Sequence, residues 1–280
     1  MRPPELAKLV ASRAIDAPVL VVEDYDGTLA PIVDDPLQAR PHPRALATLA
    51  NLTEVAKVAI ISGRPADFVV TQIGTLSLSI DVVGMYGRQI ARDGLVITHP
   101  DAERDRDNIA LALARAVDQL QPLGVDIEDK DGLGVGLHVR KVAAQAHGAF
   151  GVASDWATEV GNELGLRVEL GRQVVELTGA ADFDKGNALL DLVEIEAPGA
   201  VVVMGDDRGD IPAFAAVRRL RDVGTTAYGI AVDSSELDPQ VRAAADIVIP
   251  SIDAGLDFLD RLDHELRGLR RARNVGIGLT

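Results

Sequence analysis

Hydrophobic and polar positions divide the chain into short segments with two different periods. Short, mostly apolar runs are typical of strands buried on both faces of a parallel sheet. Such runs lie at Val19–Val22, Val55–Ile61, Ile80–Val83, Ala200–Met204, Ala227–Val232 and Ile247–Ile249. Helical periodicity occupies the stretches between several of them, for example Ala45–Leu52, and Leu256–Arg273 predicts a final helix. Strands that alternate with helices predict an α/β domain with a parallel sheet.

The middle of the chain has a different pattern. The sequence becomes polar and charged between about Thr98 and Asp107, where we place a domain boundary. Two amphipathic helices and two pairs of period-two strands follow, at Ile109–Leu120, Val125–Lys130, Leu133–Arg140, Ala143–Leu164, Arg167–Leu170 and Gln173–Leu177. The order αββαββ predicts a small α+β domain, residues 104–181, inserted into a core formed by residues 1–103 and 182–280.

The alternation gives the inserted sheet one apolar face and one polar face. The polar side chains predicted to share a face are Glu128, Lys130, His138, Arg140 and Glu176. A face of this kind is typical of solvated antiparallel sheets, and it is equally compatible with a ligand-binding surface.

Composition narrows the range of partners. The chain has 28 Lys and Arg against 43 Asp and Glu, a net charge of −15, which disfavours binding to nucleic acid or to anionic membranes. It has no cysteine, so disulfides, thiolate catalysis and cysteine-bound zinc are excluded. Because no apolar leader or membrane-length run is apparent, we expect a cytoplasmic protein.

Two carboxylates follow the first apolar run. Asp24 and Asp26 are two positions apart, so they can point the same way at the tip of the strand. Ligands of open α/β sheets bind outside the carboxyl ends of the strands. Two adjacent carboxylates need a cation between them or a proton on one of them. Taken alone, the stretch is also typical of an ordinary Asp-x-Asp turn.

Further polar groups follow other predicted strands or open helices. Ser62-Gly63-Arg64 ends the second strand, Lys185 opens a helix, and Asp206, Asp207 and Asp210 follow the strand at Ala200–Met204. Clustered carboxylates without His or Cys select a hard cation such as Mg²⁺. A hydroxyl, a guanidinium and an ammonium suit the oxygens of a phosphoryl group. Together with a carboxylate nucleophile, these groups indicate phosphoryl transfer.

The ordered motifs Asp-x-Asp-Gly-Thr, Ser-Gly-Arg, Lys-Gly and Gly-Asp-Asp-x-x-Asp resemble those of the haloacid dehalogenase superfamily. Within it, the chain is similar to trehalose-6-phosphate phosphatases, because it carries Asp24–Val33, Ile127–Lys130, His138–Arg140 and Gly171–Leu177. The resemblance implies a Rossmann-like core, with a parallel sheet in a three-layer α/β/α arrangement, and an inserted α+β cap. It also implies a Mg²⁺-dependent hydrolase that converts a sugar phosphate, most plausibly trehalose 6-phosphate, to the sugar and phosphate.

The resemblance assigns a role to each motif. Asp24 would be the nucleophile that forms an aspartyl-phosphate, and Asp26 would protonate the leaving oxygen and later deprotonate water. The phosphoryl oxygens would be held by Ser62, Gly63, Arg64 and Lys185. Mg²⁺ would bind Asp24, the backbone carbonyl of Asp26 and Asp206, while Asp207 and Asp210 complete the acidic shell or orient Lys185. The sugar would contact Tyr86, Gly87, Gln89, Glu128, Lys130, His138, Arg140 and Glu176.

Two departures from the family pattern put the identity of the sugar in question. The family's Gly-x-His-Gly-x-Glu is replaced by Gly84-Met85-Tyr86-Gly87-Arg88-Gln89, and the fourth motif continues as Gly209–Pro212 in place of Thr-Asp-Glu-Asp. Another glycosyl phosphate or a pseudo-disaccharide phosphate therefore remains an alternative substrate. A phosphomutase and a non-catalytic sugar-phosphate sensor are alternatives of other classes.

Overall fold

The computed structural model describes residues 2–14, 17–33, 35–143, 148–171, 173–233 and 237–277. Its strands are β1 (Val19–Glu23), β2 (Lys57–Ile61), β3 (Ile80–Gly84), β4 (Gln89–Arg92), β5 (Leu95–Thr98), β6 (Asp126–Asp129), β7 (Gly134–His138), β8 (Arg167–Leu170), β9 (Val174–Thr178), β10 (Ala200–Gly205), β11 (Thr226–Val232) and β12 (Ile247–Ile249).

The helices lie between these strands and before and after them. They are α1 (Pro3–Ala11), α2 (Ala45–Thr53), α3 (Ala66–Ile73), α4 (Pro100–Glu103), α5 (Arg106–Gln119), α6 (Arg140–Ala143), α7 (Ala149–Leu164), α8 (Lys185–Glu196), α9 (Ile211–Asp222), α10 (Pro239–Ala244) and α11 (Ile252–Ile277). The chain divides into two compact units, residues 1–96 with 183–280 and residues 97–182. The domain limits predicted from the sequence stay a prediction.

The first unit is built on a sheet whose strand order is β12-β11-β10-β1-β2-β3-β4-β5. Strand β1 lies in the interior of the sheet and pairs in parallel with β10 on one side and β2 on the other. All five of its residues are buried, as its continuous apolar run predicts. Apolar side chains from α1, α2, α3 and α11 pack on one face of the sheet, and side chains from α8 and α9 pack on the other. This is the three-layer α/β/α arrangement.

The two edge strands after β3 were not predicted from the sequence. Strand β4 pairs antiparallel to β3, and β5 follows it through Asp93 and Gly94, both of which have positive φ. An Asp-Gly pair between two short strands is a strong hairpin signal. On β5, Leu95 and Ile97 are exposed, because this strand is the edge of the sheet.

The second unit is an antiparallel sheet of order β6-β7-β9-β8 with helices on one face. Its apolar face, which includes Val135, Leu137, Val175 and Leu177, packs against α5 and α7. The alternation predicted for these strands is therefore present in the structure.

Two element boundaries in the second unit differ from the prediction. Strand β7 ends at His138, and Arg140 begins α6 instead of extending the strand. The helix predicted from Ala143 begins as α7 at Ala149, directly after Gly148, whose φ of 101° is unsuited to a helix interior. Residues 144–147 of that predicted helix, and Arg172 of the hairpin predicted around Gly171-Arg172, lie outside the described residues. In the described part of the chain, no helix is both long and apolar enough to span a membrane.

Candidate active site

The candidate nucleophile Asp24 directly follows β1 and is almost completely buried. Its backbone amide donates to the carbonyl of Met204, so the parallel ladder fixes its position. The Lys185 ammonium at the start of α8 lies 2.7 Å from Asp24 Oδ1 and 2.7 Å from Asp210 Oδ1. Burial would lower the pKa of Lys185, but the charges of Asp210 and Asp24 outweigh it and raise that pKa well above its ordinary value. Lys185 is therefore a fixed cation beside the nucleophile.

Asp210 organises the loop after β10. Its Oδ2 accepts hydrogen bonds from the amides of Asp206 (2.9 Å) and Asp207 (3.1 Å), while its Oδ1 contacts Lys185. Asp207 in turn accepts a hydrogen bond from the Gly209 amide at 2.8 Å. These bonds hold the loop so that the carboxylate of Asp206 packs against the Cα of Gly27, where no side chain would fit.

The carboxylates of this site outnumber the cationic side chains that contact them. Asp24, Asp206 and Asp210 offer oxygens that all lie within 4.8 Å of one another. Burial, together with the neighbouring carboxylates, raises the pKa of Asp206 to about 10 and that of Asp207 to about 6. Burial also raises the pKa of Asp24 well above its ordinary value, although the charge of Lys185 opposes it. Buried oxygen ligands that repel one another in this way fit a hard divalent cation.

Of the five predicted metal ligands, this group contains Asp24, Asp206 and Asp210. The side chains of Asp26 and Asp207 are not members of it. Asp210 contacts Lys185 through Oδ1 and the amides of Asp206 and Asp207 through Oδ2. Its role as a metal ligand or in orienting Lys185 stays a prediction. The prediction for Asp26 concerns its backbone carbonyl, which the side-chain grouping does not test.

The candidate acid Asp26 is held by the guanidinium of Arg64. Arg64 Nε donates to Asp26 Oδ2 and Nη2 donates to Asp26 Oδ1, both at 2.8 Å. Arg64 Nη1 donates to the carbonyl of Pro36 at 2.9 Å. The sequence predicted Arg64 as a ligand of phosphoryl oxygens; the structure places its two-donor edge on Asp26.

Ser62 is buried directly after β2, and its hydroxyl oxygen already accepts one hydrogen bond. Its Oγ accepts a hydrogen bond from the Arg64 amide at 3.1 Å, which leaves the hydroxyl hydrogen to be donated elsewhere. The loop after β3 is tied to the same segment, because the amides of Met85 and Tyr86 donate to the carbonyls of Arg64 and Ser62. Met85 and Tyr86 both have positive φ, at 52° and 60°.

The ring of Tyr86 lies between two glycines of the predicted motifs. A Cβ built on Gly63 would come within 2.6 Å of Tyr86 Oη, and one on Gly209 within 3.4 Å of the ring. Gly87, with φ of 113°, continues the tight loop. Tyr86 is therefore packed against the loops that follow β2 and β10.

Gln89 makes a contact that the sequence analysis did not predict. Its side chain is buried, and Oε1 accepts a hydrogen bond at 2.9 Å from the Ala66 amide, the first residue of α3. A helix N-terminus has unsatisfied amides, so this bond caps α3. Sugar binding at Gln89 stays a prediction.

The predicted polar face of the second unit carries paired charges. Glu128, Gly136 and Glu176 lie in register across β6, β7 and β9. Lys130 forms an ion pair with Glu176, and His138 Nε2 lies 2.8 Å from Glu128 Oε2. The second oxygen of Glu176 is buried and has no hydrogen-bond partner among the described residues.

Gly136 leaves room for the pair of Glu128 and His138, since a Cβ there would meet Glu128 Oε2 at 3.0 Å and His138 Nε2 at 3.1 Å. One expectation about this face is corrected. Arg140 is not a member of the sheet, because the strand has already ended.

Three further side chains near the motifs were not among the predicted site residues. Glu23 is fully buried with neither oxygen hydrogen-bonded to any described residue. Phe68 lies beneath Arg64, with 4.8 Å from the guanidinium carbon to the ring centre. Arg88 is buried with its guanidinium 5.1 Å from the ring centre of Phe183. Only Glu23 had a visible signal, an acid that closes an apolar run.

Comparison with known proteins agrees with this arrangement. The family described as trehalose-phosphatase matches residues 22–248, most of the chain. The chain belongs to the trehalose-phosphatase family. A trehalose-phosphate phosphatase of Mycolicibacterium paratuberculosis is 35% identical over 251 residues, which are 87% of this chain and 61% of that protein. This family member thus spans about three-fifths of the length of that curated relative.

Solved structures support the fold class. A trehalose-6-phosphate phosphatase related protein superposes with a TM-score of 0.71 at 21% identity, covering 90% of this chain and 99% of that one. A haloacid dehalogenase-like hydrolase from Bacteroides thetaiotaomicron gives a TM-score of 0.61 at 16% identity, over 87% and 98% of the two chains. The predicted haloacid dehalogenase-like fold of this trehalose-phosphatase family member is confirmed.

Proposed function

We propose that this protein is a Mg²⁺-dependent phosphatase that hydrolyses a sugar phosphate, most plausibly trehalose 6-phosphate, through an aspartyl-phosphate. The observation that carries the proposal is the contact of Asp24 with Lys185 inside a group of buried carboxylates. Membership of the trehalose-phosphatase family supports the same chemistry. A buried carboxylate beside a fixed cation is suited to attack a phosphorus atom whose oxygens that cation contacts.

The reaction has two displacements. An oxygen of Asp24 attacks phosphorus, the bond from phosphorus to the sugar oxygen breaks, and Asp26 gives its proton to that oxygen. Water then attacks the phosphorus of the aspartyl-phosphate and loses a proton to Asp26, and the bond to Asp24 breaks to release phosphate. Lys185 and the Ser62 hydroxyl would hold phosphoryl oxygens during both steps.

Asp24 and Asp206 are the side chains that would hold Mg²⁺. When bound, Mg²⁺ would neutralise charge on the phosphoryl group and on the carboxylates around it. The assignment is supported by the short distances between the oxygens of Asp24 and Asp206, which lie within 4.8 Å of one another. Burial, together with the neighbouring carboxylates, also raises the pKa of Asp206 to about 10.

The polar face of the second unit is the proposed sugar-binding surface. Sugar hydroxyls donate and accept hydrogen bonds. The buried oxygen of Glu176 that has no partner among the described residues is an acceptor suited to such a hydroxyl. A site of this kind discriminates strongly, because its buried polar groups stay unpaired with the wrong ligand. A different glycosyl phosphate remains the second candidate substrate, because Tyr86 replaces a histidine of the family and Gln89 caps a helix.

The test is a phosphate-release screen with purified protein, Mg²⁺ and a panel of phosphorylated mono- and disaccharides. We expect the highest kcat/KM for trehalose 6-phosphate, and no release by the Asp24→Asn variant prepared in parallel. Preference for another glycosyl phosphate would overturn the substrate but retain the reaction. No metal-dependent phosphate release from any member would overturn the phosphatase proposal and favour a sensor.

A further inference from the structure

The contacts of Arg64 raise the question of what this side chain does. Arginine side chains that bind phosphate present the two N–H groups of one guanidinium edge to two phosphate oxygens. In Arg64, the edge formed by Nε and Nη2 is directed to the two oxygens of Asp26, and Nη1 is directed to the Pro36 carbonyl. The Arg64 side chain is also only 13% exposed, against 35% for the Asp26 side chain.

Two aromatic residues extend the pair of Arg64 and Asp26 into a closed series of contacts. Phe68 on α3 lies under the Arg64 guanidinium at 4.8 Å. Its ring meets that of Tyr25 edge to face, with centres 5.9 Å apart and planes at 88°. Tyr25 is fully buried, donates to the Ala39 carbonyl at 3.2 Å, and is covalently joined to Asp26. The closed series of contacts therefore passes from Asp26 to Arg64, Phe68 and Tyr25 and returns to Asp26.

This closed series of contacts determines the orientation of the Asp26 carboxylate, which would otherwise be free to rotate. Asp26 lies beyond the end of β1 and is partly exposed, so the strand alone does not fix its χ angles. A planar bidentate partner fixes both oxygens, and a lysine cannot reproduce this geometry. A general acid must be within hydrogen-bond reach of the leaving oxygen, and small displacements cost rate.

We propose that Arg64 is a positioning residue for the general acid Asp26, and that Phe68 holds Arg64 in that role. The proposal rests on the proposed phosphatase function. It differs from the expectation that Arg64 binds the phosphoryl group, and the two roles predict different dependence on the leaving group. Loss of an acid slows reactions with poor leaving groups most, whereas loss of a phosphoryl contact slows all substrates alike.

The test compares kcat/KM for phenyl phosphate and for p-nitrophenyl phosphate, whose leaving group needs less help from an acid. This constant reports formation of the phosphoenzyme, so the later role of Asp26 as a base does not mask the effect. For Arg64→Lys we expect a loss with phenyl phosphate that is about tenfold or more larger than the loss with p-nitrophenyl phosphate. Phe68→Leu should also lose more kcat/KM with phenyl phosphate than with p-nitrophenyl phosphate, but both losses should be smaller. This variant replaces Arg64→Lys in the test if Arg64→Lys fails to fold.

Two further variants complete the design. Ser62→Ala, which removes a predicted phosphoryl contact, should lower both constants by similar factors. Arg44→Lys is the matched control, since Arg44 pairs with Asp257 and Asp260 at the surface, and it should leave the ratio of the two constants at the wild-type value.

A double-mutant cycle gives the decisive comparison. In an Asp26→Asn background, Arg64→Lys should have no more than about a twofold further effect, because it acts through Asp26. Equal losses on both substrates, or losses that multiply in the double variant, would overturn the positioning role and return Arg64 to phosphoryl binding. Absence of turnover of either aryl phosphate by the wild type would overturn the phosphatase proposal itself.

Discussion

Removing the carboxyl group of Glu23 should stabilise the protein. Glu23 ends β1, and its neighbours in the ladder are Met204 and Ile60. By alternation its side chain shares a face with Val19 and Val21, which belong to the apolar core. It is fully buried, and neither oxygen has a hydrogen-bond partner within the described residues. Burial, with a contribution from the charge of Asp24, raises the pKa of Glu23 well above its ordinary value of 4.5.

The magnitude follows from the burial of this carboxyl. Burying it without a hydrogen-bond partner among the described residues costs about 1–3 kcal/mol. The raised pKa adds a proton cost, which is the cost of keeping the buried carboxyl protonated and grows as the pH rises. Glu23→Met removes both costs and refills the space with an unbranched apolar chain, so we expect the free energy of unfolding to rise by about 2–4 kcal/mol at pH 7. Glu23→Gln removes only the proton cost and should gain less.

The dependence on pH distinguishes this cause from better packing. A pKa raised in the folded state gives stability that is complete below pH 4.5 and is lost as the pH rises towards the folded pKa. Urea unfolding at pH 5, 6, 7 and 8 should therefore show the advantage of Glu23→Met growing with pH. Glu159→Gln on the exposed side of α7 is the control, with no expected advantage. A constant difference between pH 5 and 8, or a less stable Glu23→Met, would refute the account.

Four other predictions concern the site. Asp24→Asn should fold as the wild type does by circular dichroism and lose all measurable turnover; activity above a few per cent would contradict its role as nucleophile. Because the pKa of Asp206 is raised to about 10, Mg²⁺ must displace a proton, so calorimetry should show affinity that strengthens by up to about tenfold per pH unit between pH 6 and 8; affinity independent of pH would count against Asp206 as a ligand. Lys130→Ala should lower kcat/KM for the sugar phosphate by roughly tenfold to a thousandfold and that for an aryl phosphate far less; equal losses would indicate a folding role. Gly63→Ala should reduce activity, because its methyl group meets Tyr86, and adding Tyr86→Ala should restore part of it; no rescue would show that the clash is not the cause.

The sequence was sufficient to predict those strands whose burial follows a regular pattern along their length. The buried strands β1 and β10 are apolar except for Glu23 at the end of β1, so their location and their parallel pairing could be predicted. The alternation of β7 and β9 was equally clear, because one face of that sheet is apolar and the other is polar. The β4–β5 hairpin could have been found from Asp93 and Gly94, a turn signal that was not used.

Side-chain partners could not be predicted in the same way. Sequence spacing indicated that Arg64 would be near Asp26, but not that its two-donor edge would be directed to that carboxylate. Likewise, the polarity of Gln89 gave no means of telling a ligand contact from the cap of α3. Such pairings depend on loop geometry at strand ends. In that region the period of a strand or helix no longer specifies where a side chain points.

The pairing of β1 has a consequence for the time course of synthesis. Val21 of this strand pairs with Val58 on one side and with Val202 on the other. At about 5–20 residues per second, the ribosome delivers the second partner roughly 7–30 seconds after the first. Until then, one apolar edge of the strand that precedes Asp24 has no neighbour from β10, and unpaired edges of this kind favour association with other chains. Chaperone dependence during expression should therefore be greatest for chains that have not yet reached β10.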